Sequence, residues 1–283
     1  MIGQDKLLTQ IDAIISIDKF PRFSIVVGER GMEHEDVARY IHKKMDADYI
    51  QLPDVKVDTI RIMVQQAYKL HKTTVFCIPD ADDMSINAKN ALLKVVEDTP
   101  NRAYFIMCLE DLSNTLATIQ SRGIVFRMNT PSEQDIADFA RNLYVNKNDI
   151  DEDVIDKYCK ICSTPGDVIY FTHHDINNFY KYAEYVADNF NTVSGAEVFK
   201  FSDKLAIKDE EDKYDIRLFL KVLQEILRQR CDSLNDVKLI RCNCMLVLSI
   251  GQYLQDLKIK GVNRAMLLDN LWLELRRVWK SQM

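Results

Sequence analysis

The sequence is poor in the residues that build flexible linkers. It has 8 glycines and 6 prolines among 283 residues, and it contains neither an internal repeat nor a low-complexity segment. Hydrophobic residues make up 47% and charged residues 28%, a balance that is typical of a folded protein and excludes a disordered chain. Because 283 residues are more than one ordinary domain contains, we expect two or three domains.

The sequence also has no excess of positive charge and no long apolar run. A net charge of -6 argues against a protein that grips DNA broadly by itself, because binding to the phosphate backbone needs a basic face. A local basic patch, or a place in an assembly whose partners carry the basic channel, stays open. We see no run long enough to span a membrane and no signal-peptide pattern. We therefore expect a cytoplasmic protein without a membrane partner.

The seven cysteines are an odd number and are scattered through apolar stretches. This distribution is typical of reduced thiols in a cytoplasm. Cys159 and Cys162 have the spacing of zinc ligands, and two histidines follow at positions 173 and 174. Their surroundings have a helical pattern, which favours two small hydrophobic side chains packed on one helix face. A metal site at these cysteines is the less favoured interpretation.

Near the N-terminus, an apolar strand, a glycine and an amphipathic helix follow the plan of a phosphate-binding loop, G-x-x-x-x-G-K-[S/T]. Gly28 holds the first glycine position. Glu33 replaces the second glycine, His34 replaces the lysine, and Glu35 replaces the hydroxyl residue. In a working loop the glycine lets backbone N–H groups close around phosphate, the lysine neutralises it, and the hydroxyl holds magnesium.

The acidic replacements reverse the electric field that a nucleotide would meet. Glu33 and Glu35 lie close in sequence to Glu29 and Asp36. Two like charges near 4 Å repel each other by on the order of 4 kcal/mol at a surface-like dielectric, so a triphosphate should be repelled. We expect a degenerate loop, including Gly31, that keeps the frame of a nucleotide site and binds no cofactor.

Apolar strands and helical patterns alternate through the first 130 residues. Four strands are predicted at residues 23–27, 73–78, 103–108 and 124–128, with a short extended piece at 49–52. This alternation implies a parallel sheet with right-handed crossovers. Asp58 or Thr59 is predicted to cap a helix, and Pro165-Gly166 to form a turn. After residue 131 only helical patterns follow; the longest are predicted at residues 179–190, 216–231, 237–257 and 265–279.

Four blocks together resemble one family. Residues 75–84 resemble its segment that carries D-E-A-D, and residues 87–100 resemble its N-A-A-N-A-L-L-K-x-L-E-E-P-P stretch. Residues 116–123 are similar to its T-I-x-S-R-C motif, and residues 261–271 loosely resemble its C-terminal N-x-x-L-x-L-E-x-L-L pattern. In this order along the chain, the blocks resemble the clamp-loader subunits of bacterial DNA polymerase III, and among them the delta-prime type.

The resemblance implies an AAA+ fold in three domains. Residues 1–130 would form a RecA-like α/β domain with a parallel sheet and a degenerate nucleotide site, residues 131–174 a small helical lid, and residues 175–283 an all-α collar for oligomerisation. The implied partners are the gamma or tau ATPase subunits and the delta subunit, with the sliding clamp and primer-template DNA reached through the complex. Apolar residues along the helix at 216–231 could face such a neighbour, or could belong to the collar's own core.

Beyond the loop, the chain departs from the ATP-hydrolysing members of that family at further positions. Pro79 stands where their magnesium-binding aspartate would be, and Asp80 where their catalytic glutamate would be. Ile169 replaces the arginine of the lid motif G-D-x-R, and Cys108 falls near a sensor position. A proline side chain cannot hold magnesium, so the resemblance implies a subunit that does not hydrolyse ATP.

Arg122, preceded by Ser121, matches the arginine finger of the family, which reaches a neighbouring subunit's ATP and stabilises phosphate charge. Gly123 replaces the cysteine that usually follows. The alternative is that Arg122 makes only a local salt bridge. We expect a non-hydrolysing subunit that helps to hold the loader ring together and supplies Arg122 in trans during sliding-clamp loading in DNA replication.

Three other functions fit the same residues less well. A delta-like subunit that opens the clamp would not need the S-R motif. An active AAA+ ATPase would need His34 to replace the lysine and another carboxylate to hold magnesium. A repurposed AAA+ remnant with a different partner is the third, since a fold alone does not fix a function.

Overall fold

The computed structural model of the chain describes residues 1–144, 151–206, 215–257 and 263–282. The chain divides into two compact units. The first comprises Met1–Asn146 and Ser163–Val168, and the second comprises Lys147–Cys162 and Ile169–Met283. The division into three domains at residues 130 and 174 stays a prediction.

The first unit is built on a sheet of five parallel strands, as the sequence predicted. The strands are β1 (Phe23–Val27), β2 (Asp48–Gln51), β3 (Thr74–Ile78), β4 (Ala103–Leu109) and β5 (Ile124–Arg127). Their order across the sheet is β2-β3-β4-β1-β5, and every neighbouring pair is parallel. The three central strands are buried along their whole length. Continuous apolar runs of this kind fit a parallel sheet that is covered on both faces.

Helices cover both faces of this sheet. The helices of the unit are α1 (Asp5–Ser16), α2 (His34–Lys44), α3 (Val57–Ala67), α4 (Ile86–Glu97), α5 (Ala117–Gln120) and α6 (Glu133–Tyr144). Successive side chains of β1 point to opposite faces: Phe23, Ile25 and Val27 pack with residues of α3 and α4, whereas Val26 packs with residues of α1 and α2. The result is a three-layer α/β unit, which confirms the predicted fold class.

The second unit is helical throughout its described residues. Its helices are α7 (Glu152–Ile161), the end of α8 (Pro165–His173), α9 (Ile176–Asn189), α10 (Gly195–Ala206), α11 (Ile216–Ser233), α12 (Val237–Asp256) and α13 (Arg264–Gln282). Several begin at an aspartate whose carboxylate accepts a hydrogen bond from a backbone N–H of the first turn, which stabilises the helix start. These aspartates are Asp151, Asp175, Asp215 and Asp236.

The apolar residues of α11 form the core of this unit. The side chains are at most 6% exposed at Leu218, Leu220, Leu223, Ile226 and Leu227. They therefore serve the chain's own packing and are not available to face a neighbour. Trp272 of α13 is also fully buried, and its indole N–H donates a hydrogen bond to Ser202 Oγ of α10 at 3.0 Å.

Some local predictions were wrong. α3 begins at Val57 after Lys56, which makes no side-chain capping bond, and the Thr59 hydroxyl instead donates to Asp54. Pro165 and Gly166 form the first turn of α8, where proline is tolerated because its missing N–H has no helical partner.

Two further differences concern the helical part of the chain. The sequence reasoning missed α10, although Ser194 and Glu197 form a capping box at its start. The Glu197 N–H donates to Ser194 Oγ at 3.2 Å, and the Ser194 N–H donates to the Glu197 carboxylate at 3.0 Å. Of the block at 261–271, positions 261 and 262 lie outside the described residues, and the rest opens α13.

α12 is long and apolar enough to cross a membrane by length and composition, although the sequence reasoning found no such run. Core helices of soluble proteins share these properties. In this unit α12 packs between α11 and α13, so its composition alone does not indicate a membrane span.

The S-R motif ends in a glycine for a steric reason. A Cβ at Gly123 would lie 2.8 Å from two side-chain carbons of Ile25 and 2.9 Å from Phe23. We expect Gly123→Cys to lower the free energy of unfolding by about 1–3 kcal/mol, as overpacking does, when measured by urea denaturation. Gly251→Ala is the matched control: its Cβ would meet only Gln224 at 3.3 Å, so this mid-helix change should stabilise by about 0.5–1 kcal/mol. Equal stability of the Gly123 variant and the parent would contradict the packing explanation.

Candidate functional site

The loop after β1 is the segment in which the sequence predicted a degenerate phosphate-binding loop. The chain turns after Gly28, and α2 begins at His34. Glu33 precedes the helix in the left-handed conformation, with φ 40° and ψ 52°. A side chain in that conformation costs roughly 1–2 kcal/mol. Glu33, at the motif's second glycine position, therefore has the backbone geometry that glycine favours.

The side chain in the lysine position bonds back to the loop itself. His34 Nε2 lies 2.8 Å from the carbonyl oxygen of Gly28. A carbonyl oxygen only accepts hydrogen bonds, so Nε2 carries the proton. The Gly28 N–H in turn donates to the carbonyl of Leu109 on β4 at 3.1 Å. The group that would meet phosphate is thus engaged by the protein's own backbone.

The loops after β1, β3 and β4 meet at the carboxyl edge of the sheet, where parallel α/β sheets bind ligands. They enclose a cavity of about 180 Å³. Five carboxylates line it, together with Arg30 and His34; the acids are Glu33, Glu35, Asp80, Asp82 and Glu110. Burial, and next the neighbouring Asp36 carboxylate, raise the pKa of Glu33. The lining is acidic, and it does not fit a magnesium triphosphate, whose own charge is negative.

A short segment before and in the first turn of α8 packs against this loop. The N–H of Gly166 donates to the carbonyl of Gly31 at 2.9 Å. Gly31 has φ 88°, and a Cβ on it would lie 2.6 Å from Thr164 Oγ1. A Cβ on Gly166 would lie 2.6 Å from the Gly31 Cα, so both positions need glycine. Gly31 was predicted as part of the degenerate loop, but its contact with Gly166 was not.

The segment after β3 carries Pro79 at the position predicted to have lost a magnesium ligand. Pro79 is buried at the end of the strand, and its side chain has no atom that could bind a metal. Asp80, which occupies the catalytic glutamate position of the family, is exposed and left-handed with φ 44°. It lines the cavity, as does Asp82 of the same block.

Asp82 is a structural residue that the sequence reasoning missed. Its side chain is 8% exposed, and its carboxylate accepts hydrogen bonds from the backbone N–H groups of Glu110 and Asp111 at 2.6 and 3.3 Å. It also accepts one from Asn114 Nδ2 at 2.8 Å. Asp82 thereby fixes the loop that follows β4. The signal was present as the second aspartate of the D-E-A-D-like block.

Arg122 lies at the other edge of the sheet, directly before β5. Its side chain is 39% exposed and makes an ion pair with Glu97 at 3.0 Å. It also donates to the carbonyl of Thr118 at 2.9 Å, as does the Ser121 hydroxyl at 3.1 Å. The local salt bridge considered as an alternative is therefore present, and the guanidinium is still accessible to solvent.

Three cysteines were considered as a sensor or as metal ligands. Cys108 is buried, with its Sγ 4.0 Å from Cys77 Sγ. That thiol contact and burial raise the pKa of Cys108 well above its usual value. Cys159 lies in α7, and Cys162 directly follows that helix and is buried. In the part of the chain that the structure describes, no three His, Cys, Asp or Glu side chains are grouped to hold a metal ion.

Comparison with known proteins gives matches over part of the chain. Residues 32–132 match the family model described as DNA polymerase III, delta subunit. DNA polymerase III subunit gamma of Buchnera aphidicola subsp. Schizaphis graminum is 26% identical over 186 residues, which are 55% of this chain and 51% of that protein. Subunit delta' of the same organism is 25% identical over 112 residues, 38% of this chain and 32% of its own length.

These matches support a relationship of this chain to the clamp-loader subunits of DNA polymerase III.

Within the clamp-loader family, the comparisons do not separate the gamma type from the delta-prime type. The chain spans about half of the gamma relative that it matches. The matched family region includes both Pro79 and Arg122. Among solved structures, the RuvB Holliday junction branch migration motor of Thermotoga maritima superposes with a TM-score of 0.50 at 17% identity, over 80% of this chain and 78% of that one. At this identity the likeness shows the fold alone, which agrees with the AAA+ class.

The three hydrogen bonds of Asp82 predict a role in stability. We expect Asp82→Ala to lower the free energy of unfolding by about 2–4 kcal/mol, because it leaves three donors without their charged acceptor. Urea denaturation followed by circular dichroism measures this. Asp58→Ala, which removes an exposed i,i+3 ion pair with Arg61, is the control and should change stability by less than about 0.5 kcal/mol. Equal effects of the two changes would contradict the role of Asp82.

Proposed function

We propose that the chain is a clamp-loader subunit of the delta-prime type. It does not hydrolyse ATP, it helps to hold the loader ring together, and it supplies Arg122 to the ATP site of a neighbouring subunit during DNA replication. The observation that carries this proposal is the placement of two features on opposite edges of one sheet. The nucleotide-type cavity is acidic and its loop is self-bonded, whereas Arg122 is accessible at the far edge.

The loss of ATP binding is supported by three independent features. His34 is bonded to Gly28 where a lysine would reach phosphate. The cavity is lined by carboxylates, which repel a triphosphate. Pro79 removes the side chain that would hold magnesium. If any one of these features were changed by mutation, the other two would still oppose binding.

Calorimetric titration of the purified chain with magnesium-ATP tests this part. We expect no binding at millimolar nucleotide, because the site offers neither the cation nor the metal ligand that a triphosphate needs. A canonical ATP-binding clamp-loader subunit serves as the positive control under the same conditions. Saturable binding, together with hydrolysis, would establish instead the active ATPase with an atypical site.

The geometry of the sheet supports an action of Arg122 on another chain. Arg122 precedes β5, so it lies at the amino edge of the sheet, and the cavity lies at the carboxyl edge. The four residues of β5 span about 13 Å, which is beyond the reach of one arginine side chain. Any contact of Arg122 with a nucleotide is therefore made in trans. Exposed ion pairs contribute only about 0–1 kcal/mol, so the pair with Glu97 can open.

Arg122→Ala in the reconstituted loader is the decisive substitution. We expect the ATP turnover of the neighbouring subunit to fall by about tenfold or more, because arginine fingers stabilise the charge of the transferring phosphate. The complex should still assemble, as measured by size-exclusion chromatography. Arg61→Ala removes another exposed, singly paired arginine and should leave turnover unchanged.

Glu97→Gln distinguishes an arginine-finger role of Arg122 from a role in the local salt bridge alone. This change breaks the ion pair at 3.0 Å but keeps the guanidinium. If Arg122 acts in trans, Glu97→Gln retains the parental turnover. If Arg122 serves only the local pair, Glu97→Gln and Arg122→Ala have the same effect, and the finger proposal is wrong.

The partners in this proposal are the gamma or tau ATPase subunits and the delta subunit, in a cytoplasmic complex that reaches the sliding clamp and primer-template DNA. Co-purification of the chain with the ATP-binding subunits tests the assignment directly. A delta-like function predicts a different result: the chain alone would bind and open the sliding clamp. A repurposed AAA+ protein would bind neither.

A further inference from the structure

Two cysteines lie side by side at the surface of the helical unit. Cys231 is in the last turn of α11 and Cys244 is about two turns into α12. Their Sγ atoms are 3.9 Å apart. Cys244 is exposed and Cys231 is partly exposed, so solvent reaches the pair. None of the features of the proposed clamp-loader function uses these residues.

The helices hold the two sulfurs in positions from which a bond can form. Residues 234–236 connect α11 to α12 directly, and the two helices pack against each other. A disulfide has an S–S distance of about 2.0 Å, so the sulfurs must approach by about 2 Å. Rotation of the exposed Cys244 side chain about its Cα–Cβ bond is the movement that we expect to bring them together.

The two thiols have different surroundings, which gives each a separate role. The Cys231 thiol donates to the carbonyl of Leu227 at 3.3 Å. Burial, and next the contact with the Cys244 sulfur, raise the pKa of Cys231, so its proton is retained at neutral pH. Cys244 is the more accessible sulfur and meets an oxidant in solution first.

We propose that Cys231 and Cys244 form a reversible disulfide when the chain meets a peroxide. The Cys244 thiolate attacks one oxygen of hydrogen peroxide, the O–O bond breaks, and hydroxide leaves, which gives a sulfenic acid on Cys244. The Cys231 sulfur then attacks the Cys244 sulfur and expels a second hydroxide. The two hydroxides take up the two thiol protons, so two thiols and one peroxide become one disulfide and two waters.

The disulfide would tie the end of α11 to α12 and close a short loop. It removes the exposed thiol from the surface of α12 and fixes the hairpin of these two helices. A small dithiol reductant reverses it by exchange, so the pair would be oxidised transiently in a reducing compartment.

Peptide mapping of the full chain tests the proposal. The protein is treated with hydrogen peroxide, the remaining thiols are alkylated under denaturing conditions, and trypsin is added. We expect the peptides 231–238 and 242–258 to appear joined, with a mass about 2 Da below their sum because two hydrogens are lost. The joined species should disappear after treatment with dithiothreitol. If the two peptides stay separate and carry alkylated or overoxidised cysteines, the proposal is overturned.

Variants identify the cysteine within the second peptide, which also contains Cys242. Cys242 is fully buried, so Cys242→Ser should retain the cross-link, whereas Cys244→Ser and Cys231→Ser should abolish it. Persistence of the cross-link in Cys244→Ser would overturn the assignment. Because Cys244 is exposed, its serine variant should fold as the parent does, and circular dichroism checks this.

The buried pair in the sheet provides an internal control. Cys77 and Cys108 are separated by a nearly equal 4.0 Å but are at most 2% exposed. We expect them to stay reduced at the peroxide concentration that oxidises Cys231 and Cys244 completely. Equal rates for both pairs would show that accessibility does not select the site, and the proposed mechanism would be wrong.

Discussion

The parallel direction of all five strands is the constraint on which the rest of the first unit depends. In such a sheet every strand ends at one edge and begins at the other, so the loops after β1, β3 and β4 must meet, and residues before β5 must lie far from them. The acidic cavity and Arg122 are consequently separated within one chain. An arginine at the position of Arg122 can therefore reach a cavity of this kind only on another chain.

The carboxyl edge is maintained by bonds that the protein makes to itself. His34 binds the carbonyl of Gly28, Gly166 binds Gly31, and Asp82 binds the backbone after β4. Buried polar groups must be paired, and these bonds supply the partners within the chain itself. They stabilise the conformation of the loop, including the left-handed Glu33.

The sequence predicted the sheet well because its strands are continuous apolar runs. It placed β1 with the observed bounds, and it placed β3, β4 and β5 within about one residue, which is the usual scatter at element ends. The degenerate loop stays a prediction from residue type and spacing, and the role of Arg122 stays what the family resemblance implies. The sequence could not predict the contact of Gly31 with Gly166, because the two are distant in sequence and neither carries a side chain that indicates a partner.

The misses among the helices have other causes. α10 begins with a capping box, Ser194 with Glu197, that the sequence reasoning overlooked. Its contact between Ser202 and Trp272 joins residues far apart in sequence and could not be predicted from local pattern. The stripe on α11 had two possible uses, and periodicity alone does not distinguish a core face from an interface. Burial within the chain decided that question.

The hydrogen bonds of Asp82 have a consequence for how acidic residues in this block are interpreted. Asp82 accepts three hydrogen bonds that hold the loop after β4, whereas Asp80 beside it is exposed. An acidic residue in this block can therefore be needed for folding alone. Its presence in a sequence reports on how the loop is held, and it is not by itself evidence of catalysis.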